Sequence, residues 1–514
     1  MFFSLILCGS FLIFAWLLGS FLWQPKRLRS KLEKQGIKGP FPSLLYGNIT
    51  EINKINSRFQ ENLVTRSADS GDKLHSWPSN ALPHLVQWRN EYGPIFVYAM
   101  GNIQMLCVTN PDMVREISLC TSLDLGKPTY LSKDRGPLLG RGILTSNGPY
   151  WANQRKILAP EFYLDKVKGM VHMMVQSTSM MLESWEIKTE DLEGKLEITV
   201  DEDLRKLSAD IISRACFGSS YEKGEKIFST LHALQRVMSK GVVGVPGLRY
   251  LPNKHNKEIW KLESEIDAMI LEAVKENNQL NDSKKNLLQL LLCEAEKSRD
   301  DNDVPKDVSM DKFIVDNCKN IYFAGHETTA ISASWCLMIL ASYPEWQARA
   351  RSEVLEICGK KSPDADMLKN MKTLTMVIQE TLRLYPPVAF VVREALQDIK
   401  FKEIQVPKGV IVQIPIPILH QNQDLWGSDA LKFKPDRFAK GIAGACKIPQ
   451  AYMPFGIGAR TCLGQNFAMM ELKVILSLVL AKFSFSLAAT YRHSPVFRLV
   501  IKPEFGVSIT VEKL

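Results

Sequence analysis

One stretch limits the possible folds more than any other. From Ser309 to Ser342 the sequence reads as a single helix closed by Pro344, which at about 1.5 Å per residue is about 50 Å long. From Ile321 to Ala341 it is apolar almost all round, and a helix without a polar face must be buried on every side. The rest of the chain has to be built around it. The material is sufficient: 514 residues, 46% hydrophobic and 23% charged, a composition that excludes disordered, collagen-like and low-complexity proteins. A prior of roughly 150 residues per domain would give three domains. However, no Pro/Gly/Ser-rich linker or charge block divides the sequence after residue 60. One large domain is expected, with a core that needs no disulfides.

Sixty-four basic against 55 acidic residues leave a net charge of +9. The excess is too dilute for nucleic acid, which requires a clustered stripe, and suits an anionic membrane surface or an acidic protein partner. There are ten cysteines and no C-x-x-C, so zinc ribbons and thioredoxin-like sites are excluded. The thiols read as reduced and mostly structural.

Residues Phe2 to Trp23, FFSLILCGSFLIFAWLLGSFLW, carry no charge; at about 1.5 Å each they span about 33 Å, the depth of a bilayer core. Lys26, Arg27, Arg29, Lys31, Lys34 and Lys38 follow, against the single acid Glu33. Positive charge stays cytoplasmic. We therefore expect a transmembrane signal anchor over 1–24, a basic, proline-containing hinge over 25–45 and a cytosolic domain over 46–514. A cleaved signal peptide fits less well, because the run is long and no basic segment precedes it. The sequons at Asn48 and Asn281 should then be silent.

Ile95–Tyr98 and Met105–Val108 flank Gly101-Asn102 and predict a hairpin. Helical periodicity dominates from about 150 to 385, for example over Trp151–Glu161, Glu202–Cys216 and Lys257–Asn277. The charged stretch Lys297–Asp307 reads as a solvated loop. Strands are expected at Val388–Val392, Val410–Ile418, Val496–Ile501 and Val507–Val511, the last two as a pair. No G-x-G-x-x-G or G-x-x-x-x-G-K-[ST] occurs, so nicotinamide or nucleotide binding by this chain is not expected.

The chemistry concentrates in Phe455-Gly456-Ile457-Gly458-Ala459-Arg460-Thr461-Cys462-Leu463-Gly464, followed by a helix over Gln465–Lys482. Gly458 and Gly464 let the backbone approach a flat ligand. Cys462 precedes a helix N-terminus, which favours thiolate, and Arg460 offers a fork suited to a carboxylate. A haem iron and a haem propionate require this combination. The bland alternative is a structural cysteine in a glycine-rich turn. A chance match to F-x-x-G-x-R-x-C-x-G is on the order of 10⁻⁴ for a chain of this length.

This segment resembles the haem-binding fingerprint of the cytochrome P-450 superfamily, and three further elements match in order and spacing. Glu380-Thr381-Leu382-Arg383, together with Pro435-Asp436-Arg437-Phe438, implies a buried structural cluster of Glu380, Arg383 and Arg437 that locks the haem loop. Asp436, where Glu is commoner, leaves the detail of that loop open. Ala324-Gly325-His326-Glu327-Thr328-Thr329 implies a dioxygen site with Thr328 as alcohol and Glu327 as its acid partner. Trp151 and Arg155 imply propionate ligands, as does Arg393. In this reading Phe455, Gly458, Arg460 and Gly464 hold haem b and Cys462 ligates its iron. Ala324, Val388, Ala389, Phe390 and Val496 line an apolar substrate pocket.

The resemblance implies a mainly helical fold with a small β subdomain and haem between the central helix and the cysteine loop. It implies a monooxygenase using dioxygen, a hydrophobic small molecule and electrons from NADPH through a separate membrane-bound reductase. A haem-thiolate isomerase or dehydratase, and a non-enzymatic haem sensor, are the rival readings; the acid–alcohol pair argues against the first. The stretches SNGPYWANQRKILAPEFYLDKVKGM, DLRKLSADIISRACFGSSYEKG, VDNCKNIYFAGHETTA and MVIQETLRLYPPVAFVVREAL are similar to plant members that oxidise gibberellins and related ent-kaurane acids. That similarity implies an endoplasmic reticulum membrane location. Epoxidation of the 16,17 double bond and hydroxylation at carbon 13 both remain open.

Overall fold

The computed structural model describes residues 23–64, 75–191, 194–218, 221–239, 247–279 and 307–514, with Gly19 and a few positions in the gaps between them. At its centre a helix runs over Met310–Ser342, and the Ser309 side chain caps it by accepting from the Lys312 amide at 3.2 Å. Burial begins at Phe313, earlier than the apolar run that starts at Ile321. The reason is electrostatic. Lys319, fully buried, sets its Nζ 2.9 Å from Asp267 and 3.6 Å from Asp316, so charge enters the interior already paired. On another part of this polar surface, Asp316, Asn317 and Asn320 accept from the main-chain amides of Arg141, Ile143 and Leu144 at 2.7, 3.2 and 2.8 Å. The loop before the helix Gly148–Leu158 is thus fastened to the central helix.

Around the centre pack the helices Asp201–Phe217, Gln465–Lys482, Leu164–Asp191 and Lys372–Leu384. Asp201–Phe217 shows how the sequence sets its ends. Three acids in its first turn complement the helix dipole, and Gly218, at φ 64°, ends it in the left-handed conformation.

A five-stranded sheet flanks the helices in the order Ile95–Met100, Ile103–Val108, Ile411–Pro415, Phe390–Ala395, Leu125–Gly126. The first two strands form the expected antiparallel hairpin, and Ile103–Val108 pairs in parallel with Ile411–Pro415. The strand expected over Val410–Ile418 is shorter, because Pro415 and Pro417 turn the chain into a helix over Ile416–His420. The C-terminal strands are arranged differently from expectation. Pro495–Arg498 and Val500–Pro503 pair with each other about Leu499, whose φ is 67°. Ser508–Lys513 pairs instead between Lys195–Thr199 and Phe483–Leu487.

The segment expected to be a hinge contains a docked helix, Gln24–Glu33, with Pro25 in its first turn. Leu32 is fully buried, and Arg29 bonds Glu33 at 2.7 Å and the Gly39 carbonyl at 2.9 Å. The apolar run over 2–23 lies outside the described residues except for Gly19 and Trp23, and the charged loop over 297–307 except for Asp307. Among the described residues no helix is long and apolar enough to cross a membrane. Asn48 is buried, and its carboxamide bonds Phe41, Glu51 and Ala99. Asn281 lies outside the described residues.

Candidate functional site

A cavity of about 640 Å³ lies between the central helix, the helix Gly148–Leu158, the strand Phe390–Ala395 and the cysteine loop. Its floor is built by local geometry. The Cys462 amide donates to the Phe455 carbonyl at 2.8 Å, a short 3₁₀ turn covers Gly458–Arg460, and the helix Gln465–Lys482 starts directly after Gly464. The glycines serve different ends. Gly464 brings the backbone beside the sulfur: a Cβ there would lie 4.0 Å from Cys462 Sγ. Gly458 does not line the cavity. It has φ 66°, and a Cβ would come within 2.7 Å of the Ser118 carbonyl, so it seats the loop against the neighbouring helix end.

Cys462 is exposed at the cavity, which it lines. Burial pushes its thiol pKa up, against the pull of the Gly464 amide, Arg155 and Lys127. The helix terminus alone therefore does not produce the thiolate expected from sequence. A cation bound at the sulfur would complete the deprotonation. Among the described residues no group of three or more His, Cys, Asp or Glu could hold a metal ion, and Cys462 is the one such residue lining the cavity, so such a cation would take a single protein ligand.

Four of the cations that reach the same cavity, Lys127, Arg155, Arg393 and Arg460, lie around the cysteine loop. Arg155 donates to the Thr461 carbonyl at 3.0 Å, Arg393 to those of Val392 and Ile457 at 2.9 and 3.4 Å, and Arg460 to the Ser146 carbonyl and the Asn147 carboxamide at 3.0 and 2.8 Å. Arg460 also lies over the Trp151 ring at 4.1 Å. None of the four has an acidic partner among the described residues. Burial lowers the Arg393 pKa to about 10; burial, then Arg393 and Arg155, lower that of Arg460 to about 9. Lys127, which the sequence reading missed, is also pushed well down, first by burial and then by Arg393 and Arg460. Such crowding of like charge requires an anion. A flat metal macrocycle with two carboxylates would supply both the cation for Cys462 and the anions for this wall. The residues present fit haem.

Asn147 ties the wall together. Its carboxamide oxygen accepts from the Lys127 amide at 2.6 Å as well as from Arg460, and its nitrogen donates to the Lys127 carbonyl at 2.8 Å.

Beneath the loop, the Arg383 guanidinium grips the Glu380 carboxylate through Nε at 2.6 Å and Nη2 at 2.8 Å, both residues being fully buried. Arg437 stands 3.5 Å from Glu380 and is clamped by Asp429 at 2.9 Å. Asp436 is not in this cluster; it is half exposed and faces Arg349 at 3.2 Å. The shortened acid therefore makes no ion pair with Glu380, Arg383 or Arg437. A link unseen in the sequence completes the assembly. His420 bonds the Arg383 carbonyl through Nδ1 at 3.0 Å and accepts the Met453 amide at Nε2 at 3.0 Å. Met453 is two residues before Phe455, so His420 connects the buried ion pair to the mouth of the cysteine loop.

That bridge requires neutral imidazole. Burial, then Arg383, hold the His420 pKa at about 3. Because the folded value lies below the unfolded one, about 6.5, the unfolded chain binds the extra proton between these limits. Stability is expected to be full above pH 6.5 and to fall by up to about 1.4 kcal/mol per pH unit as pH drops toward 3. Thermal midpoints recorded from pH 7.5 to 5 should show this slope, and His420→Asn should show a shallower one. Equal slopes would remove His420 as a source of acid sensitivity.

On the central helix Thr328 lines the cavity, its hydroxyl donating to the Ala324 carbonyl at 2.7 Å. Glu327 does not. It is fully buried behind the wall, its carboxylate 3.7 Å from both Arg205 Nε and His326 Nε2. Successive helical residues do not share a face, so the expected pair is split between the cavity and its backing. Gly325 also has a packing reason: a Cβ there would meet Ile212 at 2.7 Å. Ala324, Val388, Ala389 and Phe390 line the cavity as expected. Val496 does not; the C-terminal hairpin enters one residue later, through Phe497 to Val500.

A family model described as Cytochrome P450 matches residues 74–508. Cytochrome P450 714C2 of Oryza sativa subsp. japonica is 51% identical over 499 residues, 96% of this chain and 94% of its own. Cytochrome P450 714A2 of Arabidopsis thaliana is 46% identical over 518 residues, 99% and 97% of the two chains. The crystal structure of cytochrome P450DA heme domain superposes with a TM-score of 0.73 at 22% identity, covering 93% of this chain and 98% of the other, a likeness of fold. With a cysteine loop and a cationic wall in one cavity, an ion-pair lock beneath the loop, and these relatives, the chain belongs to the cytochrome P450 family of monooxygenases, which bind haem b and take electrons from a redox partner.

Proposed function

We propose that this protein is a membrane-anchored monooxygenase of the endoplasmic reticulum that inserts one oxygen atom into a gibberellin or related diterpenoid acid, with electrons from a membrane-bound NADPH-dependent reductase. The observation that carries this reading is the cavity, whose mostly apolar lining includes Cys462 and the central-helix alcohol Thr328. An apolar pocket with few polar groups suits a rigid hydrocarbon skeleton. Support for the diterpenoid class comes from the sequence stretches quoted above.

Haem, when bound, would supply the activation of dioxygen. The chain would do the rest. Cys462 Sγ would hold the iron, donating electron density. Arg155, Arg393, Arg460 and Lys127 would hold the two carboxylates, with Trp151 under Arg460. Thr328 Oγ1 would hold and pass a proton at the cavity, while Glu327, Arg205 and His326 set the charge behind it. Thr328→Ala is therefore expected to bind haem and substrate normally. Product formed per NADPH should fall severalfold, with peroxide making up the difference. Equal coupling in variant and parent would remove Thr328 from proton delivery.

Membrane attachment is supported by exposed apolar side chains near the chain's entry to the domain. Phe41 is 91% exposed, and Leu44, Leu45, Tyr46, Tyr250 and Leu251 are also exposed. The Gly101-Asn102 turn joins both groups, its amides bonding the carbonyls of Tyr46 and Gly244 at 3.2 Å each. The test is to supply microsomes containing this protein and a plant reductase with a panel of gibberellins and ent-kaurane acids. Products one oxygen heavier are expected, and their fragmentation would separate an epoxide from an alcohol. Turnover confined to other terpenoids or steroids would overturn the substrate class.

A further inference from the structure

The cationic wall beside Cys462 does not account for every charge in the cavity. Arg135 also lines it, from the junction between the short helices Thr129–Lys133 and Gly136–Leu139. Its Nη1 donates to the carbonyl of Met238, the last residue of the helix Tyr221–Met238. Among the described residues no other side-chain hydrogen bond and no acidic partner is found for it. The adjacent carboxylate, Asp134, turns away to accept the Gly244 amide at 2.9 Å. Among the described residues no Asp or Glu lines the cavity. The charges that bear on Arg135 are Tyr130 and Asp134, whereas those bearing on Arg460 are Arg393 and Arg155. Arg135 is therefore a separate cation, in the substrate-side roof. Arg498 also reaches the cavity but is exposed, so water can satisfy it.

Capping the helix through one carbonyl uses one of the five N–H groups of a guanidinium that stays charged at every working pH. Arg135 is half-buried and lines the cavity; its remaining donors have no acidic partner among the described residues, and a partly desolvated charge without an anion is costly. An anion delivered by the ligand would remove the cost. We propose that Arg135 is a specificity-determining residue that pairs with a carboxylate on an otherwise apolar substrate, so that the acid end lies in the roof and a remote carbon faces the cysteine loop. This rests on the reading of the cavity as the substrate pocket and adds the group that selects and orients the substrate.

The test uses the full-length haem protein and paired probes: ent-kaurenoic acid, oleic acid and lithocholic acid, each beside its methyl ester. Binding is followed by the change in the haem absorption spectrum. In the parent at neutral pH at least one acid should bind about tenfold or more tightly than its ester, the range of a charge-assisted hydrogen bond. In Arg135→Gln that acid should fall to the affinity of its ester, with the carbon monoxide spectrum retained. Arg135→Lys, a point charge without the fork, should keep part of the preference. If the ent-kaurenoic pair is not bound but another pair behaves this way, the diterpenoid reading falls and the role of Arg135 stands. If no acid outbinds its ester in the parent, or if Arg135→Gln keeps the preference, the inference is overturned. If Arg135→Gln failed to take up haem, an undiminished preference in Arg135→Lys would overturn it.

Discussion

Cys462→Ser is expected to abolish the red-shifted absorption of the reduced, carbon monoxide-bound protein and all monooxygenase turnover. The substitution barely changes volume, and the loop that presents residue 462 is held by main-chain bonds, chiefly from its own amide to the Phe455 carbonyl at 2.8 Å. The fold should therefore survive, separating loss of ligand from loss of structure. Among the described residues no other cysteine and no histidine lines the cavity, so none of them offers a soft or imidazole donor in its place. A serine oxygen is a harder and poorer donor than a thiolate. A variant that retained the red-shifted band would show that the ligand lies elsewhere.

The second large effect is expected from Arg383→Ala. It leaves the Glu380 carboxylate buried with Arg437 at 3.5 Å and the Lys434 amide at 2.9 Å as its remaining partners. It also leaves the carbonyls of His420, Ala430 and Lys432 without the donor they share. Removing one member of a buried ion pair typically costs about 3–5 kcal/mol, a large part of the about 5–15 kcal/mol that holds a domain together. The damage should reach the cofactor site through His420 and Met453. The expected result is protein recovered mostly without haem and with a much lower thermal midpoint. Arg383→Lys should rescue little, because a point charge cannot make both bonds to Glu380 together with those to the carbonyls. Haem content and midpoint equal to the parent would show that the cluster is dispensable.

What the sequence made legible follows from how local each signal is. The central helix, the hairpin about Gly101-Asn102 and the cysteine loop are written in contiguous residues, and they appear where the pattern places them. Glu380 and Arg383 meet because i,i+3 spacing forces them onto one face. Long-range pairings were not legible. The partnering of Ser508–Lys513 with strands near residues 197 and 485 leaves no trace in either segment alone. The same holds for His420, Asp429 and Lys127, single polar residues whose roles exist only once the chain has closed on itself. That Glu327 lies behind the wall while Thr328 lines the cavity follows from a helix turning about 100° per residue, which sends neighbours apart. Burial of Asp316 and Lys319 was equally hidden, since each reads as a surface charge until Asp267 is brought beside them.

The two bonds between Asn147 and Lys127 pinch the chain into a closed excursion. Everything from Pro128 to Ser146 leaves and returns at one carboxamide, and the latter part is fastened to the central helix through Asp316, Asn317 and Asn320. Between these fixings the segment from Pro128 to Leu138 contributes much of the roof, Arg135 included, yet it supports neither the ion-pair lock nor the seat of the cysteine. Closure cost rises only slowly with loop length, so residues can be exchanged, added or lost there without rebuilding the floor. The fold thus separates inheritance from innovation: one part preserves the reaction while an adjoining cassette is free to drift toward new substrates.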